Sequence, residues 1–173
     1  IVLASPVWDY FAGGAKPLRI YVEDQRHRTA EHLGMVKTGG NYASSLIAQQ
    51  QAYEHGCDQV VFLDAHEGRY VEELGGMNMY FVYRNGRLVT PATGTILEGI
   101  TRSSIVELAG KMGLSIEERH FTVDEWRAGV AAGDITEVFA CGTAAVVTPV
   151  GSLRWDGGAT PEVTEAGEIT HAL

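Results

Sequence analysis

An amine that can lose its proton is enough to hold a carbonyl compound covalently, and residues 33–43, Leu-Gly-Met-Val-Lys-Thr-Gly-Gly-Asn-Tyr-Ala, offer one. Lys37 lies in an apolar, glycine-rich turn just ahead of a helical pattern. Apolar neighbours disfavour the ammonium form, and a neutral amine forms a Schiff base with an aldehyde. A solvated lysine on a turn would look the same, so the weight comes from the neighbours. Gly39 and Gly40 permit close backbone approach to a ligand, and Tyr42 adds a phenol five residues after the amine.

Three later segments extend the set. In Tyr70-Val-Glu-Glu-Leu-Gly-Gly-Met-Asn, Glu73 offers a carboxylate and the glycines let the chain turn close to a flat ring. If the segment is extended, the adjacent Glu72 points the other way; two solvated glutamates on a loop are the plainer alternative. In Leu97-Glu-Gly-Ile-Thr-Arg-Ser-Ser, Gly99 precedes a helix and frees the amides of Ile100 and Thr101 for an anion, although a helix cap explains Thr101 equally well. Gly142-Thr143-Ala144-Ala145 makes a tight turn with a hydroxyl for a phosphate and amides for a substrate carboxylate; a plain hairpin turn fits it too. An amine, an anion for a protonated ring nitrogen, a hydrogen bond to a ring oxygen and a phosphate cradle are what pyridoxal 5'-phosphate asks of a protein.

These residues need elements to hold them. Residues 1–4 read as a strand, the glycines and proline of residues 8–17 as a loop, and residues 18–22 as a further strand. A helix follows Asn41 with Ala43, Leu46, Ile47 and Tyr53 on its inward face, closed by Gly56. Residues 60–63 form a buried strand, and Asn85-Gly86 joins strands 77–83 and 87–90 in an antiparallel hairpin. A second helix begins near Ile100 with Ile105, Leu108, Ala109 and Met112 inward and stops at Gly113. Residues 115–121 form a strand, and Thr122-x-x-Glu125 is a capping box for a third helix that ends before Gly133. Two more strands, 137–141 and 144–149, meet through Gly142-Thr143. Strands alternate with helices but include a hairpin, so the class is α/β with a mixed sheet.

Composition narrows the function. With 22 acidic against 13 basic residues the formal charge is −9, which argues against nucleic acid or an anionic membrane as partner. Residues 26–28, Arg-His-Arg, are followed by acidic Glu31 and read as a solvated face. No run of about 18 apolar residues occurs and Ile1 opens no basic leader, so the cytoplasm is the expected location. Cys57 and Cys141 have no metal-ligand spacing and read as reduced, buried thiols, with no metal site. At 173 residues the chain fits one domain or slightly more; both ends read as unfinished, with residues 167–173 starting a helix that lacks its cap.

Lys37-Thr-Gly-Gly-Asn-Tyr, Glu73-Leu-Gly-Gly-Met-Asn, Leu97-Glu-Gly-Ile-Thr-Arg and Phe139-Ala-Cys-Gly-Thr-Ala-Ala-Val-Val-Thr-Pro-Val, in this order, resemble the branched-chain amino-acid aminotransferases among fold-type IV pyridoxal phosphate enzymes. The resemblance runs from the loop at Trp8 onward. It implies that the mixed sheet curls toward a barrel with flanking helices, as in the large domain of D-amino-acid aminotransferase. By resemblance, residues 1–17 are an interdomain connector and residues 18–173 the cofactor-binding large domain, C-terminally incomplete and without its N-terminal small domain. Lys37 resembles the Schiff-base lysine that also moves the proton at substrate Cα, Tyr42 the donor to the ring oxygen, and Glu73 the partner of the ring nitrogen. Ile100, Thr101 and Thr143 resemble phosphate ligands, and the amides of Thr143 and Ala144 the cradle of the substrate carboxylate. The family adds a phosphate arginine and an aromatic enclosure from the small domain, and a loop from the other subunit of a homodimer. The implied reaction is transamination between leucine, isoleucine or valine and 2-oxoglutarate. The alternatives are a D-amino-acid aminotransferase, an aminodeoxychorismate lyase-like enzyme of the same fold, and an inactive structural fragment.

Overall fold

Period-two alternation of apolar residues, with both faces of most strands covered, builds one mixed sheet of nine strands among the described residues. The structure is a computed structural model that describes residues 2–6, 16–30 and 32–173. The expected strand at 1–4 has no regular structure over 2–4, while Ile1, Glu31 and most of the expected loop at 8–17 lie outside the described residues.

In chain order the elements are β1 (Leu18–Glu23), α1 (Gly39–Glu54), β2 (Gln59–Leu63), β3 (Val71–Leu74), β4 (Asn78–Tyr83) and β5 (Arg87–Pro91). Then follow α2 (Ile100–Lys111), β6 (Ser115–Arg119), α3 (Val123–Ala132), β7 (Ile135–Gly142), β8 (Val146–Trp155), β9 (Gly158–Ala159) and α4 (Glu168–Ala172). The strand order is β3-β2-β1-β8-β7-β4-β5-β6, with β9 beside β8. The Asn85-Gly86 turn pairs β4 with β5 antiparallel, Phe81 opposite Val89, and Gly86 takes the φ of +80° that such a turn requires.

Two strand pairs are parallel across a helix, β1-α1-β2 and β5-α2-β6. Each sends a helix away from the carboxyl end of a strand, so the starts of α1 and α2 serve the same kind of position, where α/β sheets hold ligands. The sheet also curls on itself. Its first strand, β3, meets the segment that follows the last, β6, where Val71 N–H donates to the Phe121 carbonyl at 2.8 Å and Val123 N–H to the Arg69 carbonyl at 3.0 Å.

Alternate residues of the curled sheet feed different cores. Ile20, Val22, Val61, Leu63, Met79 and Phe81 point inward, where Phe121 and Trp126 of the β6–α3 region complete the interior. Tyr80, Val82, Leu88 and Phe139 face outward under Ile105 and Ala109 of α2. Val60 and Phe62 face outward under Ala48 and Ala52 of α1. Trp126 is 1% exposed and meets the Phe81 ring edge-on with centroids 5.0 Å apart. The third helix starts as expected, with Glu125 N–H donating to Thr122 Oγ1 at 3.0 Å, but the box is half made: the Glu125 carboxylate accepts from Arg119 and from Tyr83 Oη–H instead.

The inward face expected for α1 is corrected. Leu46 is 67%, Ile47 61% and Tyr53 56% exposed, while the buried stripe is Asn41, Ser45, Ala48 and Ala52. The sheet side has large side chains of its own in Val60 and Phe62, so the helix that lies on it must present small ones. The helix also starts at Gly39, earlier than Asn41. In α2 the correction is smaller: Ile105 and Ala109 are buried, but Leu108 and Met112 are each 39% exposed and Arg102 takes the inward place. Among the described residues no helix is long and apolar enough to cross a membrane.

This packing predicts opposite outcomes on one helix. Leu46→Ala should change unfolding free energy by less than about 0.5 kcal/mol, whereas Ala48→Leu should cost about 1–3 kcal/mol by overpacking against Val60 and Phe62. Denaturant melts of the two variants check the helix phase.

Candidate active site

Gathering four parts of the chain, the fold forms a cleft of about 290 Å³. Lys37 and Tyr42 come from the start of α1, Glu73 from β3, Thr101 from the start of α2, and Thr143 and Ala144 from the β7–β8 turn. Ile100 does not line the cleft; its side chain is 85% exposed, so only its backbone amide remains as a contact. Thr101 is not the cap of α2, which starts from Gly99 with no side-chain cap bond, and α1 starts from Thr38 likewise uncapped. Both helix starts therefore keep amides free for an anion.

Each wall is pinned from behind. The Asn41 amide donates to the carbonyls of Leu33 and Val36, both at 2.8 Å, and so clamps the turn that carries Lys37. The start of α2 is anchored by buried Arg102, whose guanidinium donates to the Pro91 carbonyl at 3.0 Å and to Glu118 at 2.7 Å, while Tyr80 Oη–H donates to the Arg102 carbonyl. The β7–β8 turn is held from inside by Thr148, which donates to the Ala145 carbonyl at 3.1 Å. Val146 closes that turn at a φ of +52°, an expensive conformation for a β-branched residue, and it does so beside the cleft.

Glu73 is 3% exposed, and burial pushes its carboxyl up to about 7 against the pull of Arg28. Arg28, equally buried, places Nη1 at 2.8 Å from Glu73 Oε1. Its Nη2 donates to the carbonyls of Gly34 and Thr95 at 3.1 and 3.0 Å. A Cβ at Gly34 would overlap the Thr95 carbonyl, so only glycine lets these two loops meet over the guanidinium. The alternation of β3 turns Glu72 away from Glu73, into a separate cavity of about 530 Å³ edged by His27, His66 and His120. Burial raises the Glu72 carboxyl too, against the pull of Arg28.

A buried carboxylate still short of full compensation accepts a further cationic neighbour, such as a protonated ring nitrogen. The uncapped start of α2 suits a phosphate, so this residue set fits pyridoxal phosphate. Lys37 is exposed at the mouth and its neighbours Met35 and Val36 are half exposed, so among the described residues the apolar enclosure expected around the amine is not formed. Cys141 also lines the cleft, but burial pushes its thiol up to about 12 and leaves it unreactive. Arg28, expected on a solvated face, is instead buried at 4% exposure, and the sequence assigned no role to Asn41 or to Asn78, whose side-chain amide donates to Glu73 Oε2 and to the Leu97 carbonyl, each at 3.0 Å. Asn41 and Asn78 lie within two of the quoted motifs, which was a usable signal; Arg28 had none, because it reaches Glu73, far along the chain, only through the fold.

Comparisons with known proteins show the family of the chain and of its fold. The family model for class IV amino-transferases matches residues 8–153. The chain belongs to the class IV aminotransferases. It is 52% identical to a branched-chain-amino-acid aminotransferase of Mycolicibacterium smegmatis, over 100% of this chain and 49% of that protein. A probable branched-chain-amino-acid aminotransferase of Streptomyces coelicolor is 53% identical over 95% of the chain and 48% of its own length. Among solved structures, the branched-chain aminotransferase of Thermoproteus uzoniensis with norvaline superposes with a TM-score of 0.78 at 33% identity, covering 98% of this chain and 52% of that one. A T.th. branched-chain amino acid aminotransferase complexed with N-(5'-phosphopyridoxyl)-L-glutamate gives 0.75 at 30% identity, covering 90% and 49%. The chain thus spans about half the length of the relatives it matches. The curled mixed sheet is the one these aminotransferases share.

Two outcomes follow for this class IV site. Because the folded carboxyl of Glu73 titrates near 7 rather than 4.5, the stability it contributes is complete below pH 4.5 and lost as pH rises through 7. Relative to Glu73→Gln, the cofactor-free chain should lose about 3 kcal/mol over that window, at 1.36 kcal/mol per pKa unit, which urea melts at stepped pH measure. Arg28→Met should cost about 3–5 kcal/mol at pH 8 by removing the cation beside the buried Glu73 carboxylate, and far less at pH 4.5, where the carboxyl is neutral.

Proposed function

We propose that this chain is the cofactor-binding large domain of a branched-chain-amino-acid aminotransferase, with residues 1–17 as connector and residues 18–173 as the domain. It exchanges the amino group of leucine, isoleucine or valine with 2-oxoglutarate on pyridoxal 5'-phosphate. The observation that carries the reading is the buried Glu73 carboxyl, pushed up to about 7, on a cleft that also holds Lys37 and the uncapped start of α2. The branched-chain names of relatives at 52% and 53% identity support the substrate class, as does norvaline in the Thermoproteus uzoniensis structure.

When bound, pyridoxal phosphate supplies an aldehyde and an electron-withdrawing ring. Lys37 would hold that aldehyde through Nζ with loss of water and, once the substrate amine has displaced it, its freed amine would move the proton at substrate Cα. Glu73 holds a proton on the ring nitrogen, which keeps the ring electron-poor. Tyr42 donates to the ring oxygen. The amides of Ile100 and Thr101, with the hydroxyls of Thr101 and Thr143, hold the phosphate. The amides of Thr143 and Ala144 orient the substrate carboxylate so that its Cα–H faces Lys37. In this proposal an N-terminal small domain supplies the other wall and a phosphate arginine, the enzyme is a homodimer, and it works in the cytoplasm.

The test is an absorbance spectrum with borohydride trapping. The chain mixed with pyridoxal phosphate should colour and, after reduction, carry the label on Lys37; Lys37→Ala should carry none. Label on Lys16 or Lys111 instead would remove the assignment. With an N-terminal domain supplied, L-leucine should be transaminated and D-alanine should not; full turnover by residues 1–173 alone would overturn the two-domain arrangement.

A further inference from the structure

Asn78, the first residue of β4, is 5% exposed and sits opposite Cys141 on β7. Its side-chain amide has two N–H groups, and both are committed. Nδ2 donates to Glu73 Oε2 at 3.0 Å and to the Leu97 carbonyl at 3.0 Å. On its other side Oδ1 packs against the start of α2, where a Cβ at Gly99 would come within 2.7 Å of it. The backbone on both sides is fixed: Leu74 N–H donates to the Met77 carbonyl at 3.0 Å, closing the turn between β3 and β4. One amide group therefore joins the carboxylate at one end of the cleft to the anion-binding backbone at the other. Glu73 Oε1 is already taken by Arg28, so Asn78 is what orients the second oxygen.

We propose that Asn78 is a positioning residue that sets the spacing between the Glu73 carboxylate and the free amides of α2, so that a ligand with a protonated ring nitrogen at one end and a phosphate at the other is gripped at both. The proposal rests on the cofactor assignment above and adds a role for a side chain that need not touch the cofactor. Without Asn78 each end persists, but the two are no longer held at a fixed separation. The ligand then meets them one at a time, and the advantage of two preformed contacts on one rigid molecule is lost.

The experiment uses Asn78→Leu, which keeps the shape and drops both donors, and Asn78→Asp, which keeps the size and puts a carboxyl against Glu73. Two readouts are taken. First, 13C NMR of the Glu73 carboxyl in the cofactor-free chain should show its titration, near 7 in the wild type, raised by about one pH unit in Asn78→Leu, because a donor to the charged form is gone. Second, titration should show affinity for pyridoxal 5'-phosphate falling about tenfold or more in both variants, while affinity for inorganic phosphate alone changes less than about twofold. A Glu73 titration unchanged in both variants, or equal losses for inorganic phosphate and pyridoxal phosphate, would overturn the positioning role. A wild-type chain that takes up no pyridoxal phosphate would instead remove the cofactor assignment, and the NMR arm would still decide whether Asn78 orients Glu73. If Asn78→Leu does not fold, Asn78→Asp supplies the NMR arm, with the Glu73 titration again expected to rise.

Discussion

Burying one carboxylate is the constraint from which the rest of the cleft follows. Glu73 cannot leave water without donors, and it takes them from Arg28 at 2.8 Å and Asn78 at 3.0 Å. Each donor is committed elsewhere as well. Arg28 draws together the loop after β1 and the loop after β5 through the Gly34 and Thr95 carbonyls, and Asn78 draws in Leu97 just before α2. The site is thus organised as one hydrogen-bonded cluster around a single charge, and even then the charge stays short of full compensation. That shortfall is what a cationic ring would supply.

The sheet makes this cluster possible by bringing distant loops to one place. Two parallel crossovers put the starts of α1 and α2 beside the cleft, and closure of β3 against the Phe121 segment bends the sheet until β3, β4 and β7 contribute to the same wall. The same curl encloses Phe81, Phe121 and Trp126 as an interior core, so the apolar burial that stabilises the domain also sets the geometry of the loops.

The exposed side of the cleft is unlike the buried one. Met35, Val36 and Tyr42 around the Lys37 turn are 40–50% exposed, and Leu46 and Ile47 on α1 more so, which leaves several apolar side chains at the rim of a chain with a formal charge of −9. Apolar rims of this kind mark surfaces that bind something. Among the described residues, this rim borders the turn that carries Lys37.

Local sequence determined the turns and the chemical groups. Asn85-Gly86 specified its hairpin, Thr122 its helix start, and the alternation of residues 71–74 the opposite faces of Glu72 and Glu73, because each depends on neighbours a few positions away. The linked motifs identified Lys37, Tyr42, Glu73, Thr101 and Thr143, and the fold gathers them on one cleft. Tertiary structure alone decided the phase of α1, since both its faces carry apolar residues and only the bulk of Val60 and Phe62 selects the small-residue stripe. It alone decided that the Ile100 side chain turns to solvent and that Lys37 stands exposed at the mouth. It alone paired Arg28 with Glu73, because a contact between residues so far apart in the chain is set by how the sheet folds back and leaves no periodic mark in the sequence.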